Sequence, residues 1–131
     1  MISPRKRADH KPWLLHRLGN DALQAGYDPL TVQIETWDHK VYYPEAHRIY
    51  IRITGDKKTG KLLGGQIIGH RTSEISKRID IIAGALFQNM KVEGLNDLDL
   101  SYSPPLSNPW DPVQIAAQEW VNNSRGIIAI L

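Results

Sequence analysis

Cysteine is missing altogether from this 131-residue chain. That removes disulfides, thiolate nucleophiles, cysteine zinc sites and iron–sulfur ligation from what the chain can do by itself. Charge of one sign is scarce as well. Sixteen Lys and Arg against fourteen Asp and Glu leave a formal +2, which makes no case for nucleic acid. No apolar run approaches the ~20 residues of a bilayer span. The start, Met1-Ile2-Ser3-Pro4-Arg5-Lys6-Arg7, is basic but lacks the apolar run of a secretory signal. No membrane is expected, and a cytoplasmic location is. The five histidines (His10, His16, His39, His47, His70) show no His-x-x-x-His spacing, so no metal site is expected. Nucleophile-elbow and P-loop motifs are absent. Gly64-Gly65-Gln66-Ile67-Ile68-Gly69 lacks the G-x-G-x-x-G spacing of a dinucleotide loop and follows a hairpin instead of opening a βαβ unit.

Proline, by contrast, is concentrated. Four of the eight prolines fall in Leu100-Ser101-Tyr102-Ser103-Pro104-Pro105-Leu106-Ser107-Asn108-Pro109-Trp110-Asp111-Pro112. Each fixes φ near −65° and pushes the preceding residue away from helical angles, so the segment is stiff and extended. It can therefore hold the Tyr102 hydroxyl at a set place.

Periodicity gives the elements. Thr31–Trp37 alternates with Val32 and Ile34 on one face, and Arg48–Thr54 places Ile49, Ile51 and Ile53 together. Gly55–Gly60 reads as a polar turn into a third strand, Leu62–Ile68, giving an antiparallel meander. Gly64-Gly65 inside that strand predicts a bulge or a close backbone approach. Ile75, Ile79, Ile82, Leu86 and Met90 form the stripe of a helix over 73–90, with Ser73 or Thr72 as cap. Ile81, Ala85 and Phe87 lie off the stripe, so the helix either crowds its own core or also touches a partner. A short helix is expected over Asp21–Ala25, capped by Asn20 and ended by Gly26. Val92–Leu100 suggests a turn of helix followed by a short strand. Asp111-Pro112 opens a final, largely apolar helix. The fold class is α+β, two layers, with a three-stranded meander plus a later strand covered on one face by helices. Residues 1–18 read as an arm or linker remnant, 19–124 as the domain and 125–131 as an apolar tail.

The candidate chemistry is thin. Asp97 and Asp99 are surface turn residues. Lys77 and Asp80 are helical neighbours. Arg78 and Asp80 either belong to a solvated face or straddle an interface and set its register by charge. Tyr42-Tyr43-Pro44 and Tyr102-Ser103-Pro104 each hold a phenol ahead of a proline, suited to core or interface packing or to hydrogen bonding and protonating a sulfur leaving group.

From about Ala25 to Val121 the sequence resembles the C-terminal dimerisation domain of the FAD-dependent pyridine nucleotide–disulfide oxidoreductases, in the branch of coenzyme A-disulfide reductases and NADH oxidases. The resemblance lies in Ala25-Gly26-Tyr27-Asp28, Tyr42-Tyr43-Pro44, Asp56–Gly64, Gln66–Gly69, Lys77-Arg78-Ile79-Asp80, Tyr102–Ser107 and Asp111-Pro112. It implies a homodimer and upstream FAD- and NAD(P)H-binding domains carrying the redox cysteines. It implies a sulfur substrate such as coenzyme A disulfide, or O2, for the parent. Tyr42 and Tyr102 would then assist the partner's cysteine. Lys77, Arg78, Asp80, Pro104, Pro105 and Asp111 would lie at the interface. The chain alone would bind no FAD, NAD(P)H or metal. Leu18-Gly19-Asn20-Asp21 stands in shortened form for that family's turn before the first helix, and residues 1–17 match no part of the pattern, which suggests a truncated or rearranged coding region. The alternative is a stand-alone interaction module whose basic arm (Arg5, Lys6, Arg7, His10, Lys11) takes a partner without a redox role.

Overall fold

The alternation of Ile49, Ile51 and Ile53 with Arg48, Tyr50 and Arg52 decides which face of the sheet is dry. In the computed structural model, which describes residues 21–103 and 106–126, the three isoleucines are fully buried and Arg48 and Tyr50 are exposed. They lie on β2 (Arg48–Asp56), which pairs antiparallel with β1 (Pro29–Trp37) and β3 (Leu62–Gly69) in the order β1-β2-β3. Three helices follow: α1 (Ile75–Phe87), α2 (Val92–Asn96) and α3 (Pro112–Ser124). α1 packs on β3, α3 crosses β1 and β2, and the isoleucine face forms the core with Ile79, Ile82, Val92, Leu95, Val113 and Trp120. The two-layer α+β architecture expected from the sequence is the one observed.

Glycines let the layers meet. A Cβ on Gly65 would stand 3.0 Å from Ile82 and one on Gly69 2.9 Å from Ile75, so the isoleucine stripe of α1 seats directly on the β3 backbone. Both readings of Gly64-Gly65 hold, because the β2–β3 register also shifts at Thr54/Gly55, where Gly64 pairs with Thr54 and Leu62 with Gly55. Gly55 is the larger surprise. It lies within β2, not in the turn expected, and its missing side chain is replaced by Trp120 and Val92; a Cβ there would come within 2.6 Å of the indole. The indole N–H donates to the Leu30 carbonyl at 2.8 Å, fixing α3 across β1.

Three expectations need correction. The later strand does not form: after α2, residues 98–100 carry no strand, and the Gln114 side-chain amide donates to the carbonyls of Leu98 (2.6 Å) and Asn96 (3.3 Å). The only pairing in that region among the described residues is a single bridge between Lys61 and Lys91. α1 is shorter than 73–90 and takes no hydroxyl cap; Glu74 occupies the N-cap position at φ 55° without a side-chain bond. α1 ends in a left-handed Asn89 (φ 54°), with Met90 N–H donating to Ala85 O and Asn89 N–H to Leu86 O, a Schellman closure. The helical turn at 21–24 is present and Gly26 ends it at φ 91°, while the expected Asn20 cap lies outside the described residues, as do 1–18 and 127–131.

Two glycine substitutions test this packing. Gly55→Ala is expected to cost about 1–3 kcal/mol by forcing Trp120 off its site. Gly84→Ala, in mid-helix with no atom within 4 Å of the added Cβ, is expected to stabilise by about 0.5–1 kcal/mol through helix propensity. Urea unfolding of both variants reads the opposite signs.

Candidate functional site

Two loops come together at the Trp37 end of β1. The first, residues 38–47, joins β1 to β2 and carries Tyr42-Tyr43-Pro44. Its base closes by two bonds: Asp38 N–H donates to His47 O, and His47 N–H donates to the Asp38 carboxylate, both at 3.0 Å. Inside it, Tyr43 N–H donates to Lys40 O at 3.0 Å. His39 spans the loop, with Nδ1 3.0 Å from Asp38 Oδ1 and Nε2 3.1 Å from Pro44 O. The second loop runs from α2 to α3 through Tyr102. Leu106 and Ser107 N–H both donate to Ser103 O (2.8 and 3.0 Å), and the Asn108 amide donates to Trp37 O at 3.0 Å, which anchors this segment to the end of β1.

The loops bring Tyr42 and Tyr43 together and place both within electrostatic reach of Tyr102. Tyr42 and Tyr43 rings lie 4.9 Å apart at 40°. Burial raises the pKa of the Tyr102 phenol, and the Tyr42 and Tyr43 phenols push it in the same direction. The raised value keeps that proton in place throughout the neutral range. Tyr42 is 75% exposed and Tyr102 45% exposed. Both hydroxyl-bearing rings therefore open to solvent, flanked by exposed Val41 and Leu106. Packing inside the monomer does not describe them.

Arg78 and Asp111 are also brought together, but in the interior. Arg78 is fully buried and Asp111 nearly so. Arg78 Nε faces the Asp111 carboxylate at 3.3 and 3.4 Å, one terminal nitrogen donates to Ser73 O, and the other donates to Asp38 O (2.9 Å) and Leu106 O (3.4 Å). Expected at an interface, Arg78 instead ties together the start of α1, the base of the first loop, the second loop and the cap of α3. This also explains the missing hydroxyl cap of α1, because the guanidinium holds the Ser73 carbonyl and turns the chain there. Asp111 caps α3 as predicted: its carboxylate accepts from Val113 N–H at 3.0 Å, and its own N–H donates to Gln114 Oε1 at 3.2 Å. Asp80 is exposed and Lys77 half-buried, with no ion pair between them among the described residues. Pro104 and Pro105 lie outside the described residues.

Sequence reasoning missed Asp38, His39 and Tyr43. The signal was there: an Asp-His dipeptide at a strand end, three residues ahead of Tyr-Tyr-Pro. No group of three His, Cys, Asp or Glu able to hold a metal occurs among the described residues, and no described helix is long and apolar enough to cross a membrane.

Comparison with known proteins adds the family. Residues 19–112 match the family model described as pyridine nucleotide-disulphide oxidoreductase, dimerisation domain. The NAD(P)H sulfur oxidoreductase (CoA-dependent) of Pyrococcus abyssi is 36% identical over 98 residues, 75% of this chain and 21% of that protein. The structure of reduced Bacillus anthracis CoADR-RHD superposes with a TM-score of 0.76 at 31% identity, covering 86% of this chain and 20% of that one. An NAD-dependent persulfide reductase from A. fulgidus superposes with a TM-score of 0.75 at 34% identity, covering 82% and 19%. The chain thus spans about a fifth of the length of these relatives.

Two measurements check the site's geometry. Arg78→Met strands the buried Asp111 carboxylate and is expected to cost about 3–5 kcal/mol in urea unfolding, whereas an exposed ion pair would cost less than about 1 kcal/mol. In a tyrosinate absorbance titration, Tyr102→Phe should remove a late-ionising component. Tyr42→Phe or Tyr43→Phe should move that component toward the ordinary tyrosine value.

Proposed function

Since the chain belongs to the pyridine nucleotide-disulphide oxidoreductase dimerisation-domain family, we propose that it joins two subunits of a coenzyme A-disulfide or persulfide reductase-like flavoenzyme and lends each subunit its partner's tyrosines. The open Tyr42–Tyr43–Tyr102 cluster supports this reading. Phenols exposed at the end of a domain, mounted from two anchored loops, can serve a surface that another subunit provides.

In this reading FAD, NAD(P)H and the redox cysteine belong to upstream domains. Among the described residues, neither the glycine-rich stretch nor the starts of α1 and α3 suit a flavin or nicotinamide nucleotide. Its one glycine-rich stretch is in β3, where Gly65 lies against Ile82 and Gly69 against Ile75. The N-terminus of α3 is filled by its own Asp111, and α1 begins at a left-handed glutamate. Neither leaves the open amide cradle that a pyrophosphate requires. What the chain supplies is two protons at fixed positions. Tyr102, with its raised pKa, stays neutral and donates a hydrogen bond to developing thiolate charge. Tyr42, on the other loop, faces the same space and orients the sulfur. The parent's substrate is coenzyme A disulfide, a persulfide or O2, with sulfur favoured by the named relatives. The basic arm of the interaction-module reading lies outside the described residues, and no described feature favours it.

The test has two parts. The pure chain should sediment as a homodimer and should not oxidise NADH in the presence of coenzyme A disulfide. In the parent flavoenzyme, Tyr102→Phe should lower kcat about 10²-fold or more with flavin content unchanged, the usual loss when a positioned proton donor is removed. A clean monomer removes the joining role, and unaltered turnover removes the tyrosine role.

A further inference from the structure

One side of α1 is not used by the fold. Its core side carries Arg78, Ile79, Ile82 and Ala85. At about 100° per residue, Gly84 lies on the opposite side, with Asp80, Ile81, Phe87 and Gln88 within about 60° of it. Phe87 is 82% exposed, more than any other large apolar side chain among the described residues. Gly84 is exposed too, and a Cβ on it would meet no atom within 4 Å. Glycine weakens a helix interior, and no contact inside this chain calls for it here. At Gly65 and Gly69, by contrast, an approaching isoleucine explains the glycine. An exposed phenyl beside such a glycine is a knob next to a seat.

These residues are placed symmetrically about Gly84. Ile81 and Phe87 stand three positions to either side of it, and Asp80 and Gln88 four. A twofold axis through Gly84, perpendicular to α1, turns each position before it onto the one equally far after it. Phe87 then meets the partner's Ile81, and the Gln88 amide meets the carboxylate of the partner's Asp80, each contact being made twice. Asp80 is exposed and has no ion pair among the described residues, so its carboxylate is free to accept. The missing Cβ of Gly84 lets the two backbones approach. A partner of different sequence needs only one half of each contact from this surface. A second copy needs both halves on the same surface, and α1 carries both. The family model, a dimerisation domain, points the same way.

We infer that two copies of this chain join by crossing α1 antiparallel on itself at Gly84, with each Phe87 seated on the partner's Ile81. The inference rests on the joining role proposed above and deepens it by naming the surface that performs it. α1 reaches the tyrosine loops through Arg78 on its core side, so the loops take no part in this contact.

The chain contains no cysteine, so a single introduced cysteine reports only its own surroundings. A disulfide requires Cα atoms roughly 4.4–6.8 Å apart. Three oxidised samples of the full chain are compared: Gly84→Cys, Tyr50→Cys on the open face of the sheet, and an equimolar mixture of Ile81→Cys with Phe87→Cys. Gly84→Cys should yield a disulfide-linked dimer, and Tyr50→Cys should not. The mixture should link Ile81→Cys to Phe87→Cys in excess over either variant linked to itself. In sedimentation, Phe87→Ser should raise the dimer dissociation constant about tenfold or more with circular dichroism unchanged. Gly84→Ala should act with opposite signs, strengthening the fold in samples dilute enough to be monomeric and weakening the dimer in concentrated ones. A dimer that survives Phe87→Ser, or that links through Tyr50→Cys and not through Gly84→Cys, overturns this inference and leaves the joining role standing. A chain that stays monomeric at every concentration overturns both.

Discussion

The buried guanidinium of Arg78 is the interaction on which the arrangement depends. It serves four parts of the chain that are far apart in sequence: the turn before α1, the end of β1, the second loop and the cap of α3. A full positive charge in a dry interior is tolerable only with a compensating anion and filled donor positions. Asp111 provides the first, and the carbonyls of Ser73, Asp38 and Leu106 provide the second. The geometry of a planar fork with several fixed donors is what allows one side chain to hold so many acceptors at once. Lysine offers a single point charge and could not replace it. Because Asp38 begins the first loop and Leu106 lies in the second, both tyrosine-bearing segments take their positions from the same group.

That shared origin explains how two loops separated by some sixty residues of chain can present phenols to one space. Each loop is anchored at a base and free at a tip. The first is closed by the reciprocal Asp38–His47 bonds, and the second is pinned by Asn108 on Trp37 O and by the two donors into Ser103 O. The anchors order the backbone at the base of each loop. The tips remain open, with Tyr42 far more exposed than a core aromatic would be. Stiff mounting with an open end is the arrangement suited to a pocket whose other wall belongs to a different polypeptide, because little ordering cost is left to pay when the partner arrives.

Much of this could be read in the sequence, and what could not be read has a common physical cause. Alternation located β1 and β2, the glycine-bracketed polar turn located β3, and the Asp111-Pro112 pair located the start of α3, because those signals are local. Gly55 was placed in a turn since glycine beside Asp56 is a turn pattern; its real reason, the Trp120 ring, comes from sixty-five positions away. Arg78 was read as a helix-surface charge because helix periodicity cannot tell a solvated arginine from one that finds its carboxylate on another helix. The later strand failed for a related reason: Gln114, from α3, takes the carbonyls that strand pairing would have used. The tyrosine pair was located through its resemblance to a family. Asp38 and His39 escaped notice, since the bonds from Asp38 to His47 and from His39 to Pro44 O exist only in the folded loop.

The buried Arg78–Asp111 pair reaches the base of the first loop through the bond from Arg78 to Asp38 O. Buried pairs of this kind often contribute little net stability compared with well-packed apolar side chains. Their value here is positional. An apolar replacement could fill the volume, but it could not hold a particular carbonyl, and the carbonyls of residues 38 and 106 define the paths of the two loops. Guanidinium keeps its proton at every physiological pH, so the framework it sets beneath both tyrosine loops is permanent.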